Sequence, residues 1–284
     1  MPHQMKERMM PEWMVESSQL SDVGQKRRHN EDYVGFYEPG QIADLETRGR
    51  LYVLADGVGG AAAGEIASQY TVKKIIHCYY QSSDDDVAPQ LRRAIEDANA
   101  DIFAQNLSRT DRREMATTVV AAVIQGNQLT VANVGDSRAY IVRGENIEQI
   151  TEDHSLVAEL ISDGSITAEQ AETHPYRNVI LRSVGAHETV QVDIFSRQIA
   201  PGDLLILCSD GLLRHVTDQE LADIARAYSP SEAAQRLVSL ANERGGDDNI
   251  TISITHISNS PVQSKVTGAG QLPEMPRWED LQHP

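Results

Sequence analysis

Residues 51–57 read Leu-Tyr-Val-Leu-Ala-Asp-Gly, an aliphatic run that stops at an acidic residue and a glycine. Three more segments join an aliphatic run to an acid: residues 129–136, 204–211 and, with the acids first, 247–254. Short aliphatic and β-branched runs bounded by Gly and Asp predict buried strands. We therefore expect four acids on stiff supports at strand ends: Asp56, Asp136, Asp210 and Asp248.

Carboxylates gathered in this way carry an electrostatic cost. Two of them ~4 Å apart repel by ~4 kcal/mol at an effective dielectric constant of ~20. A fold that brings several together therefore needs cations between them. The pattern predicts a site for more than one metal ion.

The spacing of the other predicted strands indicates antiparallel pairing. Residues 117–125, 128–134 and 137–143 are separated by two residues each, which is hairpin spacing. Two long helices are predicted near 61–80 and 86–107, and two more precede a last strand at 249–257. Regular β-α alternation is missing, so we predict an α+β fold: two antiparallel β-sheets packed as a central sandwich, flanked by pairs of α-helices.

The chain divides into three parts by composition. Residues 1–16 are expected to form a flexible N-terminal extension and residues 17–257 the globular domain. Residues 258–284 are rich in Pro, Gly, Gln and Ser and predict a flexible C-terminal tail. Within the domain, the long irregular stretch 151–189 is typical of a functional loop.

Charge and cysteine content exclude several classes of protein. The net charge of −17 disfavours nucleic acid as a partner, because nucleic-acid binding needs a positive surface. No run of ~18 apolar residues predicts a membrane span, and the N-terminus has no apolar stretch typical of a signal peptide. Only Cys78 and Cys208 occur, which suits a reducing compartment. We expect a cytoplasmic protein, and a monomer by default.

A charged run at residues 24–32 completes a set of motifs. In chain order the set is Arg27-x-x-Asn-Glu-Asp32, Asp56-Gly-x-Gly-Gly60, Thr117-Thr118, Asn133-x-Gly-Asp-Ser-Arg138, Ser209-Asp-Gly-Leu212 and Asp248-Asn-x-Thr251. Together they resemble the type 2C family of metal-dependent protein Ser/Thr phosphatases, in its compact bacterial form. The resemblance covers residues 17–257, and it identifies 151–189 with the family's flap.

The resemblance implies two central Mg²⁺ or Mn²⁺ ions and a weaker third ion. Asp56 would bridge the central pair, and Asp136 with Asp210 would bind the third ion. The implied metal ligands are Glu31, Asp56, the carbonyl of Gly57, Asp136, Asp210 and Asp248. An all-oxygen ligand set suits Mg²⁺ or Mn²⁺, whereas Zn²⁺ would call for His or Cys.

The same resemblance implies the reaction and its substrates. A metal-bridging hydroxide would attack phosphoserine or phosphothreonine directly, without a phosphoenzyme. Arg27 would grip the substrate phosphate through paired hydrogen bonds, and Asp32 would orient metal-bound water. The partners would be phosphorylated proteins, namely substrates of a Ser/Thr kinase.

Neighbouring residues leave two of these assignments open. Arg28 could contact the phosphate in place of Arg27 if the loop register differs. Asp247 could replace Asp248, although only Asp248 falls in the Asp-Asn-x-Thr frame. Asn249 is expected to be a hydrogen-bonding prop rather than a ligand.

The chain departs from the family pattern at two positions. Val58 stands where animal members carry the His proposed to protonate the leaving alcohol. The proton would then come from water or from His154 or His29, for both of which a structural role is the simpler reading. Ala116 stands where relatives usually have Gly, and we expect only a modest effect.

Two other functions compete with this one. Residues 208–214 fit the C-x-x-G-x-x-R loop of cysteine-dependent phosphatases, with Cys208 as nucleophile and Arg214 in the phosphate cradle. A catalytically silent relative would use the fold as a binding module, but such proteins typically lose metal ligands. Metal-dependent hydrolysis of p-nitrophenyl phosphate distinguishes the three.

Overall fold

The computed structural model describes residues 13–59, 62–82, 86–108, 114–259, 272–276 and 278. Its strands are β1 (Met14–Asp22), β2 (Asp32–Tyr37), β3 (Arg50–Val58), β4 (Ala116–Thr117), β5 (Val119–Gln125), β6 (Gln128–Val134), β7 (Arg138–Arg143), β8 (Asn146–Gln149), β9 (Asp193–Gln198), β10 (Leu204–Cys208) and β11 (Ile250–Ser258). Its helices are α1 (Ile42–Arg48), α2 (Ala62–Gln81), α3 (Val87–Ser108), α4 (Leu156–Ser162), α5 (Ala168–Glu172), α6 (Asp210–Leu213), α7 (Asp218–Ala227) and α8 (Pro230–Glu243).

The strands form two antiparallel sheets. One has the order β1-β11-β10-β7-β8, and the other has the order β2-β3-β5-β6-β9 with β4 paired to β3. The predicted hairpin β5–β6 pairs in register across a short turn. The hairpin expected between β6 and β7 is wrong, because these strands lie in different sheets and β7 pairs instead with β8. The α+β prediction, with two antiparallel sheets and flanking helices, is confirmed.

Alternating side chains on each strand connect the layers of the sandwich. In β3, Leu51, Val53 and Ala55 pack in a core beneath α2 and α3, whereas Tyr52 and Leu54 face a second core between the two sheets. Successive strand side chains point to opposite faces, so a run buried on both faces reads as continuously apolar. This explains why the segment at 51–55 contains no polar residue.

Strand β10 uses the same alternation on the other sheet. Leu205 and Leu207 enter the core between the sheets, while Leu204, Ile206 and Cys208 enter a third core beneath α7 and α8. The molecule is therefore a four-layer sandwich of helices, sheet, sheet and helices. Strand ends and their connecting loops remain free to form a site at the edge of the two sheets.

Side chains cap the starts of the two C-terminal helices. Ser229 is the N-cap of α8 and accepts a hydrogen bond from the Glu232 backbone N–H, with Pro230 as the first helical residue. Thr217 caps α7 in the same way. Side-chain oxygens at N-caps satisfy backbone N–H groups that the helix itself leaves without partners.

Three features differ from the sequence-based expectations. Strand β1 begins at Met14 and pairs along its whole length with β11, so the expected N-terminal extension is wrong for residues 14–16. Helix α1 and strand β8 were not predicted. Residues 1–12 of the expected extension lie outside the described residues.

The described part of the C-terminal tail packs against the domain. Leu272, Met275 and Trp278 contact the core beneath α2 and α3. The Trp278 ring stacks on Tyr70 of α2, with ring centroids 4.0 Å apart. The expectation of a flexible tail is therefore wrong for these residues, and the remaining expected tail at 260–271, 277 and 279–284 lies outside the described part of the chain.

Candidate active site

Two carboxylates face each other where β2 meets β3. Asp32 and Asp56 are direct partners in the antiparallel register of these strands. Like charges directly opposite each other on paired strands destabilise a sheet. This position is therefore unfavourable for the fold alone, which points to a role in binding a cation.

Close backbone approach brings Glu31 to the same place. The Gly57 N–H donates to the Glu31 carbonyl over 3.1 Å. A Cβ on Gly57 would lie 2.3 Å from the Gly64 carbonyl oxygen, and a Cβ on Gly64 would lie 2.1 Å from Glu31 Oε2. Only glycine at 57 and 64 allows the first turn of α2 to press against this loop, where Gly64 lies against the Glu31 carboxylate.

Three further acids come from turns next to this pair. Asp136 lies in the β6–β7 turn, Asp210 begins α6 directly after β10, and Asp248 precedes β11. Arg27 Nη2 lies 2.8 Å from Asp248 Oδ2. Arg214 binds Asp210 and also reaches Asp248.

Burial and mutual repulsion disfavour ionisation of these acids. Burial, together with the charges of Asp210 and Asp248, raises the pKa of Asp32 to about 7 against the opposing hydrogen bonds of Thr251 and Ser209. Burial likewise raises the pKa of Asp136 to about 7, with Asp210 contributing. Asp56 as a residue keeps some exposure, yet burial of its carboxyl and the charges of Asp32 and Asp210 raise its pKa well above the usual range.

Comparisons with known proteins identify the family. The sequence profile of the family Protein phosphatase 2C matches residues 25–244. The chain is 38% identical over 237 residues to the serine/threonine phosphatase stp of Listeria welshimeri, covering 82% of this chain and 92% of that protein. It is 36% identical over 254 residues to the protein phosphatase PhpP of Streptococcus pneumoniae, covering 88% of this chain and all of PhpP.

A solved structure agrees. The catalytic domain of the phosphatase PstP in complex with two manganese ions superposes with a TM-score of 0.75 at 34% identity, over 87% of this chain and 99% of that one.

The chain belongs to the protein phosphatase 2C family. It is accordingly a metal-dependent protein Ser/Thr phosphatase, a hydrolase that uses Mg²⁺ or Mn²⁺, and the recognition of this family from its ordered motifs is confirmed.

The described residues of this 2C phosphatase fit such ions. Asp32 Oδ1 and Asp136 Oδ1 are buried carboxylate oxygens that no described group hydrogen-bonds. Burying such an atom is costly unless a partner is supplied. Among the described residues no three His, Cys, Asp or Glu side chains are already gathered as a cage, which is consistent with mutual repulsion and with the guanidinium contacts to Asp210 and Asp248.

At the two positions that the sequence left open, the geometry favours Arg27 over Arg28 and Asp248 over Asp247. Arg27 contacts Asp248, whereas Arg28 has no ion pair with any described residue. The exposed carboxylate of Asp247 turns to His215, 3.5 Å away.

Asn249 is a prop, as predicted. Its amide nitrogen donates to the carbonyls of Val23 and His29, and its oxygen accepts from the Glu31 N–H.

His154 is held in a structural role. Its Nδ1 accepts a 3.0 Å hydrogen bond from the Gly135 N–H. Its Nε2 lies 3.1 Å from Asp193 and 3.0 Å from Arg182. Burial lowers the pKa of His154, although the hydrogen bond with Asp193 opposes this effect. The ring therefore fixes the backbone next to Asp136 and is not available as an acid.

The cysteine-phosphatase alternative is wrong. Cys208 is fully buried in the core beneath α7 and α8, and burial raises the pKa of its thiol far above neutral. A reactive cysteine needs an accessible thiolate. The match of residues 208–214 to that motif is therefore a coincidence of sequence.

Three polar contacts at the site were not predicted. Ser209 Oγ donates to Asp32 Oδ2 over 2.7 Å, and Thr118 and Ser137 share a buried hydrogen bond beside Asp56. Arg214 follows Asp210 by four residues, a spacing that puts opposite charges on one helical face. That spacing was the available signal for the ion pair.

Proposed function

We propose that this phosphatase removes phosphate from phosphoserine and phosphothreonine of proteins at the cluster around Asp56. Glu31, Asp56, the Gly57 carbonyl, Asp210 and Asp248 would hold two central ions. The observation that carries the proposal is the direct pairing of Asp32 with Asp56 across two strands, beside buried carboxylate oxygens that lack described partners. We assign a third, weaker ion to Asp136 with Asp210.

Bound Mg²⁺ or Mn²⁺ supplies Lewis acidity, which makes hydroxide available near neutral pH and stabilises charge on phosphoryl oxygens. Arg27 grips the substrate phosphate; its side chain is half exposed and reaches the site from a loop. Asp32 orients water through its free Oδ1, since Oδ2 is held by Ser209. With Val58 at the end of β3 and His154 engaged, the leaving alcohol takes its proton from solvent or from His29.

The segment 151–189 forms the flap that shapes substrate choice within the catalytic domain 17–257. The segment contains two short helices, α4 and α5, and an internal bridge between Ser155 and Ile180, and a bridge from Val184 to Thr117 joins it to the rest of the domain. Exposed apolar side chains on it, such as Tyr176 and Leu181, are available to a peptide. Exchanging this segment with that of a relative should change peptide preference.

We infer that the substrates are products of a Ser/Thr kinase and that the protein acts as a monomer in the cytoplasm. Both described cysteines are unpaired, which supports a reducing compartment. Within the described residues no helix is long and apolar enough to cross a membrane.

The test is hydrolysis of a phosphothreonine peptide with Mn²⁺ and with chelator, by the wild type and by Asp56→Asn. We expect turnover only for the wild type with metal. Folded wild-type protein that binds Mn²⁺ without turnover would support the silent binding module. Wild-type turnover by Asp56→Asn at saturating Mn²⁺ would overturn the ligand assignment.

A further inference from the structure

Arg214 contacts two acids of the candidate site. It lies directly after α6, four residues beyond Asp210, and its Nη2 is 2.5 Å from Asp210 Oδ2. Its Nε lies 3.2 Å from the same oxygen. The same Nη2 is 3.4 Å from Asp248 Oδ2. One guanidinium thus bridges two acids that come from different parts of the chain.

The charges that act on Arg214 are those of the proposed metal ligands. Burial disfavours the charged form of Arg214, but the charges of Asp210, Asp248 and Asp56 outweigh burial and raise its pKa. Arg214 in turn favours the ionised form of Asp136. Its side chain is 30% exposed, against 48% for Arg27, so it is the more enclosed of the two cations at the site.

We propose that Arg214 is a tethered counter-ion that competes with the divalent ion for Asp210 and Asp248. This inference rests on the proposed function of these two acids as metal ligands. Asp210 Oδ2 accepts hydrogen bonds from Nε and Nη2 of Arg214. An oxygen that accepts two charge-assisted hydrogen bonds has less electron density to offer an ion. Metal binding therefore has to displace the guanidinium, which lowers the affinity for the ion.

The same contact stabilises the metal-free protein. Without Arg214, Asp210 would lose its ion-pair partner, and Arg27 would remain only against Asp248. Removing one partner of an enclosed ion pair leaves an uncompensated charge, which is strongly unfavourable. Loss of Arg214 should consequently destabilise the metal-free state and favour the metal-bound state.

The experiment is calorimetric titration of the full-length, metal-stripped protein with MnCl₂, together with thermal unfolding in EDTA. We expect Arg214→Ala to bind Mn²⁺ about tenfold more tightly than wild type, equivalent to about 1.4 kcal/mol, and to unfold at a lower temperature in EDTA. A merely structural role predicts weaker binding, because a loosened site holds its ligands less well. Unchanged or weaker Mn²⁺ binding by Arg214→Ala would overturn the proposal.

Two controls separate charge from other effects. Arg214→Lys keeps the charge and should stay near wild-type affinity; binding as tight as that of Arg214→Ala would contradict the counter-ion role. Arg197→Ala removes the same charge from an exposed pair with Glu148 and should leave affinity unchanged. Equal tightening there would reassign the effect to net charge and overturn the proposal.

Two further outcomes are distinguishable. If Arg214→Ala does not fold, Arg214→Gln carries the same test with a polar, uncharged side chain. If the wild type binds no Mn²⁺ at all, the proposed function fails, whereas a wild type that binds and a variant that binds equally refutes only the role of Arg214.

Discussion

Replacing Asp56 with Asn should abolish turnover and yet stabilise the metal-free protein. Asp56 and Asp32 are register partners, and such positions have Cβ atoms ~4.5–5.5 Å apart. Two charges ~5 Å apart at an effective dielectric constant of ~20 repel by ~3 kcal/mol. The raised pKa values of both groups mean that they are only partly ionised together near neutral pH. We therefore expect a gain of ~1–2 kcal/mol in the free energy of unfolding.

The assay is thermal unfolding of wild type and Asp56→Asn in EDTA at pH 8. For a domain of this size each kcal/mol shifts the melting temperature by ~2–4 °C, so we expect an increase of ~2–8 °C. With Mn²⁺ the wild type should have the higher melting temperature. Binding of the ion stabilises the native state, and only the wild type keeps the Asp56 carboxylate that binds it. Turnover of a phosphopeptide should be lost.

A matched variant tests the reasoning. Asp203→Asn makes the same change at a buried acid that forms a two-pronged ion pair with Arg143, at 2.8 and 2.7 Å. It should lower the melting temperature in EDTA, since it removes a favourable partner. If Asp56→Asn also lowers the melting temperature, or leaves it unchanged, the repulsive cluster is refuted.

The pH dependence follows from the same groups. The pKa of Asp32 and of Asp136 is raised to about 7 in the native protein, from a usual value near 3.8. Between these values the native state binds more protons than the unfolded state, so the free energy of unfolding falls as pH rises from ~4 to ~7. Metal-free protein should therefore be more stable at pH 5.5 than at pH 8, with a shallower decline in Asp32→Asn. A steeper decline in that variant would contradict the assignment.

Other substitutions test neighbouring parts of the account. Arg27→Ala should raise the KM for phosphopeptides about tenfold, which is the loss expected for one charge-assisted contact with phosphate. Arg28→Ala should change the KM little. Equal effects of the two substitutions in steady-state kinetics would contradict the assignment of the phosphate contact to Arg27. Cys208→Ala should keep kcat at saturating Mn²⁺, and loss of turnover in folded protein would reinstate the thiol. Trp278→Ala should lower the melting temperature by ~1–6 °C, because an aromatic pair contributes ~0.5–1.5 kcal/mol beyond its buried area; an unchanged melting curve would show that stacking on Tyr70 does not stabilise the domain.

The elements that could be predicted from the sequence are those whose side chains enter a core in a regular pattern. Strand β3 is apolar on both faces because each face meets a core, and it was recognised from that feature. Helix α1 was missed because none of its residues is buried, so it has no apolar face to leave a pattern. Trp278 was assigned to a flexible tail because a few scattered apolar residues among Pro, Gly and Ser carry no period.

The candidate site was predictable in its acids and in Arg27, but not in the contact that Arg214 makes with a second acid. Acids at strand ends can be recognised in the sequence because they mark the ends of apolar runs. The order of the motifs identified the family. The contact between Arg214 and Asp248 depends on how α6 and the loop before β11 meet in space, and no local pattern encodes such a meeting. The ring of His154 is likewise fixed by Asp193, which is distant in sequence.

Anomalous diffraction from crystals grown with Mn²⁺ tests the convergence of the acids directly. The account predicts two strong manganese peaks that share Asp56, one held by Asp210 and Asp248 and the other by Glu31 and the Gly57 carbonyl. A crystal of active protein with manganese bound elsewhere, and no peak within coordination distance of Asp56, would contradict it.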